Sequence, residues 1–245
     1  MKRDVELFLR IYRLILRPFG FLFKKAVFRT ISGCSSLSAR IYYKRSPYFA
    51  ANPKRSFGEL QQNKGAYGEY LLCHRLRREK GRWLFNLYLP GKEEQTEIDA
   101  LFICKRGVFL FESKNFAGRI YGKEGQRDWV QSIKTERGIM KQRFFNPLMQ
   151  NSAHMHALLA VLDERTVVHP MVVFGERAKL YTPVAKERPT DLCTLSRLSK
   201  RVGAFPKNAL NDLEIEAIYQ KLLPYTVVSD YMKFEHVRRA EQKRR

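Results

Sequence analysis

The sequence predicts an α/β fold in which a mixed β-sheet is flanked by helices. Three observations carry this. From about Asn63 onward, short apolar runs alternate with helical ones in the order helix, three strands, helix, strand, the pattern of a layered mixed architecture. Two of the apolar runs, 97–104 and 107–114, are separated only by Lys105-Arg106 and read as a hairpin. Asn146-Pro147 marks a helix start, with Asn as N-cap and Pro at the first helical position, and that helix runs to about Leu162.

The elements follow in order. Arg3, Glu6, Arg10, Arg13 and Arg17 recur at spacings of three and four in a segment otherwise rich in Val, Leu, Phe, Ile and Tyr. Residues 1–30 are therefore expected to form an amphipathic basic helix. It would lie in an anionic membrane interface, sit in a partner's groove, or cover the protein's own core. Its longest charge-free stretch, 18–23, is too short for the ~20 apolar residues of a membrane span. No signal-peptide cleavage site follows it. Residues 31–62, with Ser32, Gly33, Ser35, Ser36, Ser38, Pro47 and Pro53 and no sustained period, read as a linker. Residues 66–80 read as a helix with Ala66, Glu69, Cys73 and Leu76 on one face, and 83–89 as a strand. After the hairpin, 118–121 and 129–133 are short strand candidates. Residues 167–174 form a further strand, weakened by Pro170, and 195–202 and 210–222 are helices. The expected organisation is a core over 63–175, a helical extension over 176–237 and a basic tail over 238–245.

The charge is lopsided. Among 245 residues, 46 are Lys or Arg and 24 Asp or Glu, a net charge of +22, and half of that excess falls in residues 1–56. This favours a polyanionic partner, nucleic acid or an anionic membrane surface. Cys34, Cys73, Cys104 and Cys193 contain no CxxC pair, so neither a zinc site nor a disulfide framework is indicated, and reduced thiols in a cytoplasmic setting are expected. No Gly-rich phosphate loop, Walker pattern or Ser-His-Asp set appears.

The hairpin carries the chemistry. With Lys105-Arg106 as a two-residue loop, Cys104 faces Gly107, and counting outward sets Asp99 opposite Glu112. Directly opposed Cβ atoms lie ~4.5–5.5 Å apart. Lys114 shares a strand face with Glu112. Two carboxylates this close repel and attract a cation, and hard oxygen ligands suit Mg²⁺ or Mn²⁺. The plain alternative is that the strands turn polar as they leave the core. Glu69, on an apolar helix face unless that face is drawn otherwise and it is solvated, and Gln150, in the first turns of the helix begun at Asn146 or simply an ordinary surface Gln there, add weight to the chemical reading. His154 and His156 point to different faces and cannot jointly hold a metal. His154 lies on the Gln150 side. Asn115, Arg119, Lys123 and Arg127 are placed to grip phosphates beside the site, or simply to be solvated.

The ordered set GAYGEYLL (65–72), TEIDALFI (96–103), GVFLFESKN (107–115), G-x-I-Y-G (118–122), Trp129 and NPLMQN (146–151) resembles the nuclease-related domain, NERD, a family of the PD-(D/E)xK phosphodiesterase superfamily. The resemblance implies a restriction-endonuclease-like fold. It also implies metal ligation by Asp99 and Glu112 with Glu69 assisting, activation of water by Lys114, and a positioning role for Gln150. Ile98-Asp99 stands where the superfamily has Pro-Asp, and Ser113 separates the acid from the Lys. Residues 1–60 and 180–245 lie outside it.

The expected function is a Mg²⁺- or Mn²⁺-dependent deoxyribonuclease, endo- or exonucleolytic, acting on DNA, with RNA not excluded. The basic excess would give sequence-independent affinity. Alternatives are a non-catalytic nucleic-acid-binding module and a membrane-surface protein built on residues 1–30. The expected location is the cytoplasm, peripheral at the inner membrane face if that helix binds there.

Overall fold

A computed structural model describes residues 37–91, 95–188 and 191–226. The chain divides into two compact units, 1–45 and 46–245. In the first, residues 37–43 are helical. The amphipathic helix expected over 1–30 and the tail over 238–245 lie outside the described residues. Among the described residues no helix is long and apolar enough to cross a membrane.

The second unit opens with two short helices, α1 (Pro47–Ala51) and α2 (Phe57–Gln62), where the sequence reads as linker. Both are specified by their caps and not by length. The Ser46 hydroxyl accepts from the Phe49 amide with Pro47 at the first turn, and Ser56 with Glu59 closes a capping box. Then come α3 (Lys64–Arg75), β1 (Arg82–Leu89), β2 (Thr96–Cys104) and β3 (Gly107–Lys114). The helix expected to reach residue 80 stops at Arg75, because the chain must reverse before β1.

Next are β4 (Gly118–Tyr121), β5 (Asp128–Thr135), β6 (Gly138–Phe145), α4 (Pro147–Val161) and β7 (Val168–Phe174). The chain continues through β8 (Ala178–Tyr181), α5 (Val184–Glu187), β9 (Leu192–Thr194), α6 (Leu198–Gly203) and α7 (Asp212–Leu222).

The strands form two mixed sheets, where one was expected. The first has the order β1-β2-β3-β7-β9, antiparallel from β1 to β3 and parallel from β3 to β9. The second has the order β6-β5-β4-β8, antiparallel except for the parallel pair β4 and β8. The stretch after residue 176, expected to be helical, therefore also supplies β8 to one sheet and β9 to the other. Pro170 is tolerated in β7 because β9 pairs only with Val172 to Phe174. The Val172 amide donates to Asp191 on the β9 side, so Pro170, two residues earlier, turns its missing N–H to the same side below the end of β9.

The core has two layers against the first sheet. Leu84, Leu87, Leu101, Ile103, Val108 and Leu110 pack with Leu158 of α4 and Ile215 and Leu222 of α7. The other face is aromatic: Trp83 stacks on Phe85 with centroids 5.4 Å apart, Phe109 on Phe111 at 6.1 Å, and Tyr48 of α1 meets Phe85 edge-on at 4.9 Å. The second sheet turns Ile120 and Trp129 inward against Val172 and Phe174 of β7. Cys73, Cys104 and Cys193 are buried free thiols.

Candidate active site

The hairpin register is the expected one. Cys104 pairs with Gly107, and the ladder runs unbroken to Ala100 and Phe111. Gly107 takes a φ of +117°, open to glycine but not to ordinary side chains, so the two-residue turn closes without shifting the register. Beyond Phe111 the ladder stops. The Ser113 amide instead donates to the Asp99 carboxylate, at 2.8 Å. On the other side the β1 ladder skips the pair Asn86 and Asp99, and Asn86 has a left-handed φ of +53°, a conformation Asn adopts more readily than most residues. Asp99 thus sits where both neighbouring strands release β2.

Lys114 is the hub. Its Nζ lies 2.5 Å from Glu112 Oε1 and donates to Gln150 Oε1 at 3.1 Å. The Glu112 side chain is only 1% exposed and that of Lys114 19%, so the ammonium reaches the surface from a buried carboxylate. Gln150 arrives because α4 is anchored at its start. Asn146 Oδ1 accepts from the Leu148 amide, while its Nδ2 donates to the carbonyls of Glu124 and Gln126. This ties the β4–β5 loop to the first turn of α4. One turn on, the buried Asn151 donates to the Leu110 carbonyl at 3.4 Å and holds α4 against β3.

Burial is the main influence on the carboxylates of the site. Burial, and then the neighbouring Glu112, push Asp99 up to about 7, against the opposing pull of Lys114. Burial, Asp99 and Glu97 push Glu69 up to about 8. Burial also raises Glu112, which Lys114 opposes. Glu112 Oε2 makes no hydrogen bond and is buried. His154 Nδ1 lies 3.7 Å from it.

The other expected residues lie in different settings. His154 is buried, 5% exposed, beside Glu112. Asn115 Nδ2 donates to the Lys64 carbonyl at 2.9 Å, fastening β3 to the start of α3. Arg119 on β4 and Lys123 and Arg127 in the β4–β5 loop are exposed. Glu69 shares the electrostatic neighbourhood of Asp99. Among the described residues, however, no three His, Cys, Asp or Glu side chains converge as a ligand group.

Two contributors were missed. Glu97 lies two residues before Asp99 on the same strand face and accepts from the Tyr88 hydroxyl at 2.7 Å; the period-two rule would have found it. Tyr48, in the supposed linker, donates to Glu69 Oε2 at 3.4 Å, and nothing local in the sequence signals that. Gly68 lets α3 lie close to β3: a Cβ there would stand 2.7 Å from Ser113 Oγ and 3.1 Å from Asn115 Cβ.

Residues 64–175 match the family model of the nuclease-related domain, NERD. This agrees with the resemblance read from the sequence over nearly the same span. An uncharacterized protein of Bacillus anthracis is 26% identical over 145 residues, 59% of this chain and 66% of that relative. The chain thus spans just under two thirds of the relative it matches. No solved structure matches.

Proposed function

We propose that the protein is a metal-dependent nuclease that hydrolyses phosphodiester bonds in DNA, on a restriction-endonuclease-like arrangement of β2, β3 and their flanking helices. The observation that carries this is Lys114, held between Glu112 and Gln150 with Asp99 on the adjoining strand.

The residues fit a small hard cation. The donors are carboxylates, burial and then neighbouring carboxylates make Asp99 and Glu69 hold their protons tightly, and one buried oxygen of Glu112 is unsatisfied. Mg²⁺ asks for only one or two protein carboxylates, the rest of its shell being waters and phosphate oxygens, so a two-carboxylate set is sufficient. Asp99 and Glu112 would hold it, and Glu69 would add negative field from α3. When bound, the ion supplies Lewis acidity to a phosphate oxygen and a more acidic water.

The chain's own groups do the rest. The Ser113 amide fixes the Asp99 carboxylate. His154 lies beside the second Glu112 oxygen and limits its rotation. Lys114 presents a fixed positive charge where charge develops on the phosphate. Gln150 accepts from Lys114 through Oε1, which leaves its amide N–H groups as donors for a phosphate oxygen. The net charge of +22 supports DNA as the partner, and the buried thiols fit a cytoplasmic setting.

The test is incubation of the full chain with labelled single-stranded, duplex and branched DNA, and with RNA, in Mg²⁺, Mn²⁺ or EDTA, beside Lys114→Ala. Cation-dependent cleavage of DNA by the wild type alone is expected. Cleavage in EDTA, equal cleavage by Lys114→Ala, or no cleavage of any DNA would overturn the reading.

A further inference from the structure

The face of the second sheet that points away from the core is built from two adjacent rungs, each crossing all four strands. One rung reads Lys179, Arg119, Ser132, Lys141, and the next Tyr181, Tyr121, Val130, Arg143. Every Lys, Arg and Tyr among these is exposed; neither rung contains a carboxylate, and the one carboxylate on this face of the β5–β6 ladder is Asp128, one pair further on opposite Phe145. The opposite face holds the buried Ile120, Trp129 and Gln131, so the alternation is that of a half-buried sheet whose outer side faces solvent.

Two features of this face are unfavourable for a sheet with nothing bound to it. Lys179 and Arg119 are directly opposed on neighbouring strands, and like charges so placed repel. Tyr121 and Tyr181 stack with centroids 5.2 Å apart and an interplanar angle of 23°, yet stay 38% and 50% exposed. Arg119 lies over the Tyr181 ring, 5.7 Å from its centroid, so cation and aromatic form one surface. Four strands at ~4.8 Å spacing make the patch about 15 Å wide.

We infer that this face binds a single strand of nucleic acid, its phosphates on Lys179, Arg119, Lys141 and Arg143 and an unpaired base on the Tyr121–Tyr181 pair. The charge selects a polyanion. The tyrosines select a single strand, because a duplex keeps its base faces stacked inside, whereas exposed aromatic rings on a sheet capture splayed bases.

The face is joined to the candidate active site by a short stretch of chain: the Cα of Arg119 follows that of Lys114 by five residues and lies within about 18 Å of it. The consequence for the substrate, that the strand presented for cutting is single, rests on the nuclease reading; the binding itself does not.

The experiment measures binding alone, in EDTA, with the full chain. Fluorescence anisotropy reports affinity for a labelled 20-mer of oligothymidine and for a duplex of the same length. Tyr121→Ala/Tyr181→Ala should weaken oligothymidine binding about tenfold or more and leave duplex binding within about twofold. Tyr121→Phe/Tyr181→Phe keeps the rings and should bind the oligomer like wild type. Lys141→Gln/Arg143→Gln should lower the slope of log K against log salt by about 1.4 on the single strand, two contacts at ~0.7 each. Wild-type affinity of the alanine pair for oligothymidine, or an equal loss on single strand and duplex, would overturn the inference. The two readings fail separately. A protein that binds as described but cuts no DNA loses the nuclease reading and keeps this one. A protein that cuts DNA while the tyrosine pair is silent loses only this one.

Discussion

Removing the Lys114 charge should expose how the site is balanced. Lys114→Met keeps a flexible apolar stem and deletes the ammonium 2.5 Å from Glu112. Glu112 is then buried with burial unopposed by its strongest opposing charge. Stranding one member of a buried pair costs about 3–5 kcal/mol, but protonation sets a ceiling. Placing a proton on a carboxyl of ordinary pKa costs about 1.4 kcal/mol per pH unit above that pKa, so the ceiling is roughly 3–4 kcal/mol at pH 7 and about 1 at pH 5. The expected loss is therefore about 2–3 kcal/mol at pH 7, shrinking to about 1 or less at pH 5. Urea melts in EDTA at both pH values measure it. Glu112→Gln/Lys114→Met should return to within about 1 kcal/mol of wild type, because neither charge is left stranded. A loss below about 1 kcal/mol at pH 7, a loss that does not shrink at pH 5, or simple additivity in the double variant would refute the electrostatic account of this pair. The result also bears on activity assays: Lys114 variants need to be compared well below their melting points.

Three further outcomes are expected. Gly68→Ala sets a helix-propensity gain of about 1 kcal/mol against overpacking of about 1–3 kcal/mol where the new Cβ meets Ser113 and Asn115; urea melts should show net destabilisation, and a more stable variant would mean that α3 stands off β3. Burial, then Arg77 and Arg75, hold His74 down at about 4 from an ordinary 6.5. The unfolded chain therefore binds the extra proton first, and the contribution of this group is present above pH 6.5 and lost as pH falls toward 4; relative to wild type, His74→Gln should recover up to about 3 kcal/mol over that window. The raised Asp99 and Glu69, at about 7 and about 8, act in the opposite sense. They stabilise fully below pH 4 and lose that contribution as pH rises to 8, so melting in EDTA should fall less steeply across pH 5–8 in Glu69→Gln than in wild type, and Mn²⁺ should flatten the wild-type curve. Unchanged pH dependence in Glu69→Gln would remove the coupled-carboxylate picture.

The hairpin was legible because its determinants are local. Alternation fixes which residues face together, and a two-residue turn ending on Gly107 fixes the register, so Asp99, Glu112 and Lys114 could be brought together from counting alone. The start of α4 was legible for the same reason, since Asn146-Pro147 is a capping signal that needs no tertiary context. The second sheet was legible only in part: 118–121 and 129–133 read as strands, but β6 and β8 did not. Nearly all of β6 is exposed, so it carries no apolar stripe, and β8 and β9 have four and three residues, too few to show a period. They form because β5, β4 and the edge of β7 offer them ladders, which a linear reading does not see. The burial of His154 was not legible because helix spacing gives a direction and no depth: α4 packs across β3 and β7, and the side that carries His154 is buried beside Glu112.

The short helix α1 shows how a site can depend on a segment with no sequence signature of its own. Tyr48 is fully buried, lies edge-on to Phe85 and Tyr70, and sends its hydroxyl to Glu69. Its ring belongs to the aromatic layer behind the hairpin, and its hydroxyl to the carboxylates in front of it. The two roles separate by substitution in the full chain. Tyr48→Ala opens a cavity the size of a ring and should cost about 3–5 kcal/mol, as large aromatic truncations in cores do. Tyr48→Phe keeps the ring and removes only a hydrogen bond that favours the ionised form of Glu69. That variant should lose about 1 kcal/mol or less while the Glu69 proton is held more tightly still. The alkaline loss of stability in EDTA should then extend to higher pH than in wild type. If Tyr48→Phe is as damaging as Tyr48→Ala, the hydroxyl carries the packing as well. If its pH profile overlays that of the wild type, Glu69 does not sense α1, and residues 47–51 support the core without shaping the charge of the site.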